Sequence, residues 1–274
     1  MPDLAGLATC LADAERLFVL TGAGISAGSG IGTYRNHEGD WQRSDPIQHQ
    51  DFLKSLSARQ RYWARSMRGW PSFRDAQPNA AHRALAKLER AGRVHTVVTQ
   101  NVDGLHQKAG QDRLIELHGS LAEAVCLDCG SRQDRESLQQ WLETHNAAWL
   151  QGSVSAQPDG DAAFDDVRQF DDFRVPLCKC GGILKPDVVF YGDSVPKPRV
   201  EVVRSALADA DGFLVIGSSL MVYSSFRFAK EANALGLPMA AINQGRTRAD
   251  DWWQCKWPAD SATALPELVE ALCA

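Results

Sequence analysis

Four cysteines stand as two short pairs, Cys126-Leu127-Asp128-Cys129 and Cys178-Lys179-Cys180, in a chain that holds seven. Thiolates in neighbouring pairs suit Zn²⁺, and four of them can close a tetrahedron around it. Gly181-Gly182 follows the second pair and permits a turn that aims backbone N–H groups at sulfur. No fifth ligand is apparent, so the spacing points to one closed, structural zinc site on Cys126, Cys129, Cys178 and Cys180. The second pair is C-x-C where C-x₂-C is usual, which leaves a degenerate site or a redox pair as the other reading. An odd cysteine count without an export signal argues against a disulfide framework. Cys10, Cys255 and Cys273 then read as packing or surface residues.

A second constellation is Gly22-Ala23-Gly24-Ile25-Ser26-Ala27, which follows the apolar run Leu17–Leu20 and fits G-x-G-x-x-[G/A]. Its glycines allow a tight turn and let backbone N–H groups approach a pyrophosphate. A plain strand-to-helix turn without a ligand would use the same residues. A simple dehydrogenase would continue into a helix and a second strand ending in an acid. Here Gly28-Ser29-Gly30-Ile31-Gly32-Thr33-Tyr34-Arg35-Asn36 has three glycines and no strand pattern. It reads as a loop folding over a ligand, and the ribose contacts must come from elsewhere, with Ser218, Ser219 and Asn243 as candidates.

These residues need elements to carry them. Leu17–Leu20, Val94–Thr99, Leu114–Leu117, Val188–Tyr191, Phe213–Ile216 and Met239–Ile242 are short, continuous apolar runs, as expected of buried parallel strands. Helical patterns lie near Ala80–Ala91, Pro198–Ala208, Ser224–Leu235 and Leu265–Leu272. The alternation predicts an α/β fold with a Rossmann-like parallel sheet domain, a smaller zinc-binding domain and a helical insertion. Each run ends in small or polar residues, and in an open parallel sheet such ends converge on one crevice. Residues 1–27, 71–121 and 184–274 are assigned to the sheet domain, 28–70 to the cofactor loop and helical insertion, and 122–183 to the zinc module. Within the last, SAQPDGDAAFDDV reads as a flexible acidic excursion.

Composition narrows the function. With 34 Asp and Glu against 29 Lys and Arg, net charge is -5, which argues against broad binding to nucleic-acid phosphates or anionic lipid. A basic tail of another protein remains open as substrate. The first twenty residues lack a basic n-region and a clean apolar stretch, and no apolar run approaches the roughly 20 residues of a membrane helix. The expectation is a cytoplasmic enzyme without nucleic-acid or membrane partners.

GAGIS, Gly30-Ile31 with Tyr34-Arg35, Thr99-Gln100-Asn101-Val102-Asp103, Glu116-Leu117-His118-Gly119, the cysteine pairs, Lys185-Pro186-Asp187-Val188-Val189-Phe190-Tyr191-Gly192 and Gly217-Ser218-Ser219-Leu220 occur in one fixed order. That order resembles the sirtuins, NAD-dependent protein-lysine deacylases, over roughly Leu17 to Pro266. Pro46-Ile47-Gln48-His49, Arg59–Arg65 and Thr247–Asp251 are most similar to the class II branch, whose animal members are mitochondrial.

The resemblance implies that NAD is a consumed co-substrate, that nicotinamide leaves and that the acyl group passes to ADP-ribose. It implies that His118 is the general base, a role suited to an imidazole titrating near neutral pH. Asn101 counts with it among the catalytic residues, and Asn101 and Asp103, with Ile31 beside them, match the nicotinamide pocket. Gly22, Ala23, Gly24, Ser26, Tyr34, Arg35, Gln100, Gly217, Ser218, Ser219, Asn243, Gly245 and Ser261 complete the expected cofactor contacts. Val188, Val189, Phe190, Tyr191 and Gly192, with Val222 in Leu220–Tyr223, match two segments between which an acyl-lysine peptide pairs as a third strand. Gly32 stands where the family has Pro, which raises the loop's conformational entropy by about 1 kcal/mol and predicts weaker NAD affinity.

Tyr62 and Arg65 fall on one helical face at i and i+3. They resemble the acyl-pocket pair of sirtuins that remove negatively charged acyl groups, where Arg would bind a carboxylate bidentately. A solvated basic helix is the alternative for Arg59, Arg61 and Arg65. At the level of function, an NAD-dependent protein ADP-ribosyltransferase and a non-catalytic module that binds NAD or acyl-lysine are the two alternatives.

Overall fold

The computed structural model describes residues 3–34, 40, 46–156, 159–164 and 169–273. Its main sheet has six strands in the order Cys255–Trp257, Met239–Ile242, Gly212–Ile216, Leu17–Thr21, Val94–Thr99 and Leu114–Glu116, and every neighbouring pair is parallel. The central strands are buried on both faces because side chains alternate between two cores. Leu17 and Val19 pack with Leu85, Leu88, Leu265 and Leu268, from the helices Ala80–Arg90 and Ser261–Cys273. Phe18 and Leu20 pack on the other side with Val203, Leu207, Phe228 and Ala229, from Lys197–Ala208 and Tyr223–Ala234. At about 25 cal/mol per Å², such burial is the main force holding the turns in place.

Five of the six expected runs lie in this sheet. The sixth, Val188–Tyr191, does not. The strand there is Leu184–Val188, antiparallel to Gly119–Cys126, in a second sheet of three strands. The reason lies in the cysteine pairs: the chain leaves the main sheet at His118, runs out to Cys126, and after Cys180 returns along the same strand. The sixth strand of the main sheet is Cys255–Trp257, at the opposite edge beside Met239–Ile242, too short and too polar at Lys256 to show as an apolar run.

The basic segment Arg59–Arg65 belongs to a 20-residue helix, Leu56–Asp75, whose N-terminus is capped by the Ser55 side chain accepting from the Ala58 N–H. This helix passes across the expected boundary at 70/71. Its residues Trp63, Ala64 and Met67 share a core with Leu138, Leu142, Trp149 and Leu184, so insertion and cysteine lobe are packed together. The expected flexible excursion is in part a hairpin, with Val154–Ala156 antiparallel to Ala162–Phe164. It docks on the helix at Gly69, where a Cβ would lie 2.3 Å from the Asp161 carbonyl; only glycine admits that approach. Among the described residues no helix is long and apolar enough to cross a membrane.

Candidate active site

The carboxyl ends of the parallel strands open onto one cleft of roughly 580 Å³, where an open α/β sheet places its ligand. Its floor is the turn after Leu17–Thr21. Gly22 caps the short helix Ala23–Ser26, and the Gly24 N–H donates to Gly217 O at 2.8 Å. A Cβ on Gly24 would stand 2.7 Å from Gly217 Cα, and one on Gly217 would stand 2.3 Å from Ile25 N. Gly217 also has φ +62. The two glycines thus let the ends of the adjacent strands Leu17–Thr21 and Gly212–Ile216 touch.

The candidate cofactor residues Ala23, Gly22, Gly24, Ser26, Ile31, Tyr34, Gln100, Asn101, Asp103, Gly217, Ser218, Ser219, Asn243, Gly245 and Ser261 all line this cleft. Arg35 lies outside the described residues. Ser26, Asn101 and Asp103 form a network: Ser26 Oγ donates to Asp103 Oδ2 at 2.7 Å, and Asn101 Nδ2 donates to Ser26 Oγ at 3.0 Å. The Leu105 N–H donates to the other carboxylate oxygen at 2.9 Å. Burial pushes the Asp103 carboxyl up against these bonds. At the far end, Ser261 Oγ donates to Gly24 O at 3.1 Å and Asn243 Nδ2 to Gly245 O at 2.8 Å. Tyr34 is pushed up, by burial first and then by nearby carboxylates including Asp159, Asp161 and Asp103.

His118 stands between the two sheets, at the last residue before Gly119–Cys126. Its Nδ1 lies 3.1 Å from Gln100 O, and its Nε2 lies 2.9 Å from Ser224 Oγ. A carbonyl can only accept, so Nδ1 carries the proton and Nε2 of the neutral ring holds a lone pair. Burial, set against the Gln100 bond and reinforced by Arg199, pulls the imidazole down to about 4. The ring is therefore neutral at pH 7 and able to take a proton. Gln100, expected at the cofactor, lines the cleft, and its side-chain nitrogen also binds the protein. Its Nε2 donates to Ser218 Oγ at 2.7 Å and to Thr21 O at 3.2 Å, tying three strand ends together.

On the other wall, the Val189 N–H donates to His118 O at 2.8 Å, and Val188, Phe190, Gly192 and Val222 also line the cleft. The Tyr191 carbonyl accepts from the His49 N–H at 2.8 Å. Phe190 is wedged against Phe52 and Tyr62, with ring centroids 5.3 and 5.2 Å away. Tyr62 and Arg65 both face the cleft, so Arg65 is not on a solvated helix face. Its fork is already engaged: Nε donates to Asp161 Oδ1 at 3.1 Å, Nη2 stands 2.7 Å from Oδ2, and Nε also reaches Ala162 O at 3.0 Å. Burial first, then Asp159, push the Asp161 carboxyl up to about 7 despite that contact. Asp161 and Ser224 were missed from sequence. Asp161 reaches the cleft only because the hairpin docks at Gly69. Ser224 in a Ser-Ser pair at a helix start reads as an ordinary cap.

The four cysteine sulfurs all lie within 4.8 Å of one another, with Cys126–Cys180 at 3.6 Å and Cys129–Cys178 at 3.7 Å. A tetrahedron with metal–sulfur bonds of about 2.3 Å has edges of about 3.8 Å, so the donor set fits zinc and the C-x-C spacing closes it. A Cβ on Gly182 would strike Cys126 Sγ at 2.7 Å, which accounts for the glycine after the second pair.

The profile of the Sir2 family matches residues 22–224. A Xanthomonas campestris protein named NAD-dependent protein deacetylase is 52% identical over 255 residues, covering 93% of this chain and 87% of the relative. A Bos taurus protein named NAD-dependent protein lipoamidase sirtuin-4, mitochondrial, is 48% identical over 256 residues, 92% of this chain and 81% of its own. Among solved structures, one described as the structural basis for the mechanism and regulation of Sir2 enzymes superposes with TM-score 0.78 at 33% identity, covering 98% and 97% of the two chains. Another, described as Sir2-p53 peptide-NAD+, gives 0.76 at 28% identity over 98% of each.

Proposed function

The chain belongs to the Sir2 family, and on that premise we propose that it is an NAD-dependent protein-lysine deacylase that releases nicotinamide and transfers the acyl group to ADP-ribose. The observation that carries this reading is the clamp on His118, which presents a neutral imidazole's Nε2 to the cleft floored by the TGAGIS turn. NAD supplies the ribose carbon to which the acyl oxygen bonds when nicotinamide departs.

The chain's residues do the rest. The turn Gly22–Ser26 floors the cleft where the pyrophosphate would lie, with Tyr34 on the same lining. Ser218, Ser219, Asn243, Gly245 and Ser261 hold the adenosine side, and Asn101 and Asp103 face the nicotinamide carboxamide beside Ile31. His118 takes a proton from a ribose hydroxyl at Nε2. The walls Val188–Gly192 and 220–223 accept the peptide as an added strand, which favours many sequences over one. Residues 1–27, 71–121 and 184–274 act as the cofactor-binding unit, with 28–70 and the zinc-clipped 122–183 as the lobe that completes the cleft and the helix Leu56–Asp75 running from one into the other. Cys126, Cys129, Cys178 and Cys180 would hold one zinc for shape alone, since no ligand position is left open.

For the acyl group, Tyr62 and Arg65 favour an acidic chain that takes Asp161's place on the guanidinium. Asp161 is suited to yield, because a carboxyl pushed up to about 7 is protonated at little cost near neutral pH. The test is kcat/KM on succinyl-, glutaryl- and acetyl-lysine peptides, with acyl-ADP-ribose followed by mass spectrometry, for wild type, Arg65→Met and His118→Ala. We expect acidic acyl groups to lead, Arg65→Met to remove the lead, and His118→Ala to lower turnover by about 10²–10⁴-fold. ADP-ribosylated protein in place of free lysine, or full turnover by His118→Ala, would overturn the reading.

A further inference from the structure

The outward nitrogen of His118 has a partner of its own within the protein. Ser224 is the second residue of the helix Tyr223–Ala234, and its hydroxyl lies 2.9 Å from His118 Nε2. Because Gln100 O fixes the Nδ1–H tautomer, the hydroxyl must donate and the ring must accept. The two bonds hold opposite edges of the imidazole and leave it no rotation.

The hydroxyl is itself well placed. Leu220 carries the one positive φ, +57, of a non-glycine among the described residues, and its N–H donates to Ser218 Oγ at 3.2 Å. The Val222 carbonyl then accepts from the Phe226 N–H at 3.1 Å and from Ser225 Oγ at 3.1 Å, which starts the helix. Gln100 completes the frame, accepting from His118 with its carbonyl and donating to Ser218 with its amide. Ser224 is therefore delivered to Nε2 by regular structure anchored to the same residue that orients Nδ1.

We propose that Ser224 is a positioning residue for the base, holding Nε2 of His118 toward the cleft until the ribose hydroxyl takes its place. The inference rests on His118 being the base. In the step, the ribose O–H bond breaks and an Nε2–H bond forms. Ser224 keeps its own proton, first donating to the neutral ring and then turning to offer a lone pair to the imidazolium. A hydroxyl can serve both states, and an aliphatic side chain neither.

The experiment compares wild type, Ser224→Ala, Ser224→Thr and His118→Ala in the full chain, with steady-state deacylation and ¹⁵N spectra of the imidazoles. In wild type we expect the His118 Nε2 resonance of a hydrogen-bonded, unprotonated nitrogen. Ser224→Ala is expected to move it to the unbonded position and to lower kcat about tenfold, the worth of one hydrogen bond. KM for NAD and peptide should stay within about twofold, and Ser224→Thr should recover most of the rate. A wild-type Nε2 without the bond, an unchanged kcat in Ser224→Ala, or a loss that Thr does not restore overturns the proposal. Full activity in His118→Ala would instead sink the base assignment, which separates the two failures.

Discussion

At the scale of single residues, the cleft turns on which polar atoms are already satisfied. Arg65 illustrates it: the guanidinium faces the cleft, but Asp161 fills the fork. A substrate carboxylate of the proposed acidic acyl group would gain only what it takes from Asp161, and selectivity would then follow that residue's charge. Its carboxyl is pushed up to about 7, by burial first and then by Asp159, with Arg65 pulling the other way. The protonated fraction therefore grows as pH falls through about 7, and Arg65 is freed in the same window. We expect the succinyl-to-acetyl ratio of kcat/KM to rise severalfold from pH 8 to pH 6. In Asp161→Asn the ratio should be high and flat across that range. Kinetics at three pH values check this, and equal ratios in both proteins would show that Asp161 does not compete. The Tyr-x-x-Arg spacing was legible in the sequence. Its neutralisation was not, because Arg65 and Asp161 are 96 positions apart.

At the scale of elements, the cysteine lobe is held from both ends. Cys126 ends one strand and Leu184 begins its antiparallel partner, with the thiolate cluster joining them. Behind it, Trp63 and Met67 of the Leu56–Asp75 helix pack on Leu138, Leu142 and Trp149. Removing zinc should loosen the strand pair and disturb this shared core, because structural zinc supplies on the order of 10 kcal/mol in small modules. We expect about one zinc per chain by metal analysis, and a fall in Tm of about 10 °C or more on chelation, with a change in tryptophan emission. A chain that binds no zinc, or an unchanged Tm after stripping, would contradict this. The same elements show what the sequence could reveal. The cysteine spacing identified the cluster, and continuous apolar runs marked five strands of the main sheet. Val188–Tyr191 misled because only Val188 lies in the strand Leu184–Val188, and the apolar residues after it line the cleft rather than a sheet interior. The hairpin of Val154–Ala156 and Ala162–Phe164 left no signal, since its order comes from docking on Gly69 rather than from its own pattern.

At the scale of the whole molecule, stability against acid is tied to two histidines behind the cleft. His82, on Ala80–Arg90, and His106, on Leu105–Lys108, are buried with ring centroids 4.9 Å apart. His106 Nε2 lies 3.0 Å from Thr21 Oγ1, at the end of the central strand. The Asn79 N–H donates to His82 Nδ1 at 3.4 Å. Among the described residues, His82 Nε2 and His106 Nδ1 have no hydrogen-bond partner. Burial, with Arg83 adding to it, pulls His82 down to about 4; burial, with His82 adding to it, pulls His106 down to about 3. Both values lie below the ordinary 6.5, so the unfolded chain binds more protons, and stability falls as pH drops from about 6.5 toward 4 and 3. Asp103, Glu116 and Asp161 are pushed the other way by burial. They favour the folded chain as pH falls, so wild-type Tm alone mixes the two signs. The difference between wild type and His106→Gln isolates the pair: glutamine can still reach Thr21 but cannot be protonated. We expect the variant to be less stable than wild type at pH 7.5 and to close that gap, or reverse it, by pH 4.5. Because the two rings touch, protonating one raises the cost of protonating the other, so the gap should close gradually rather than at one pH. Parallel Tm curves from pH 7.5 to 4.5 would mean that the pair does not govern acid unfolding.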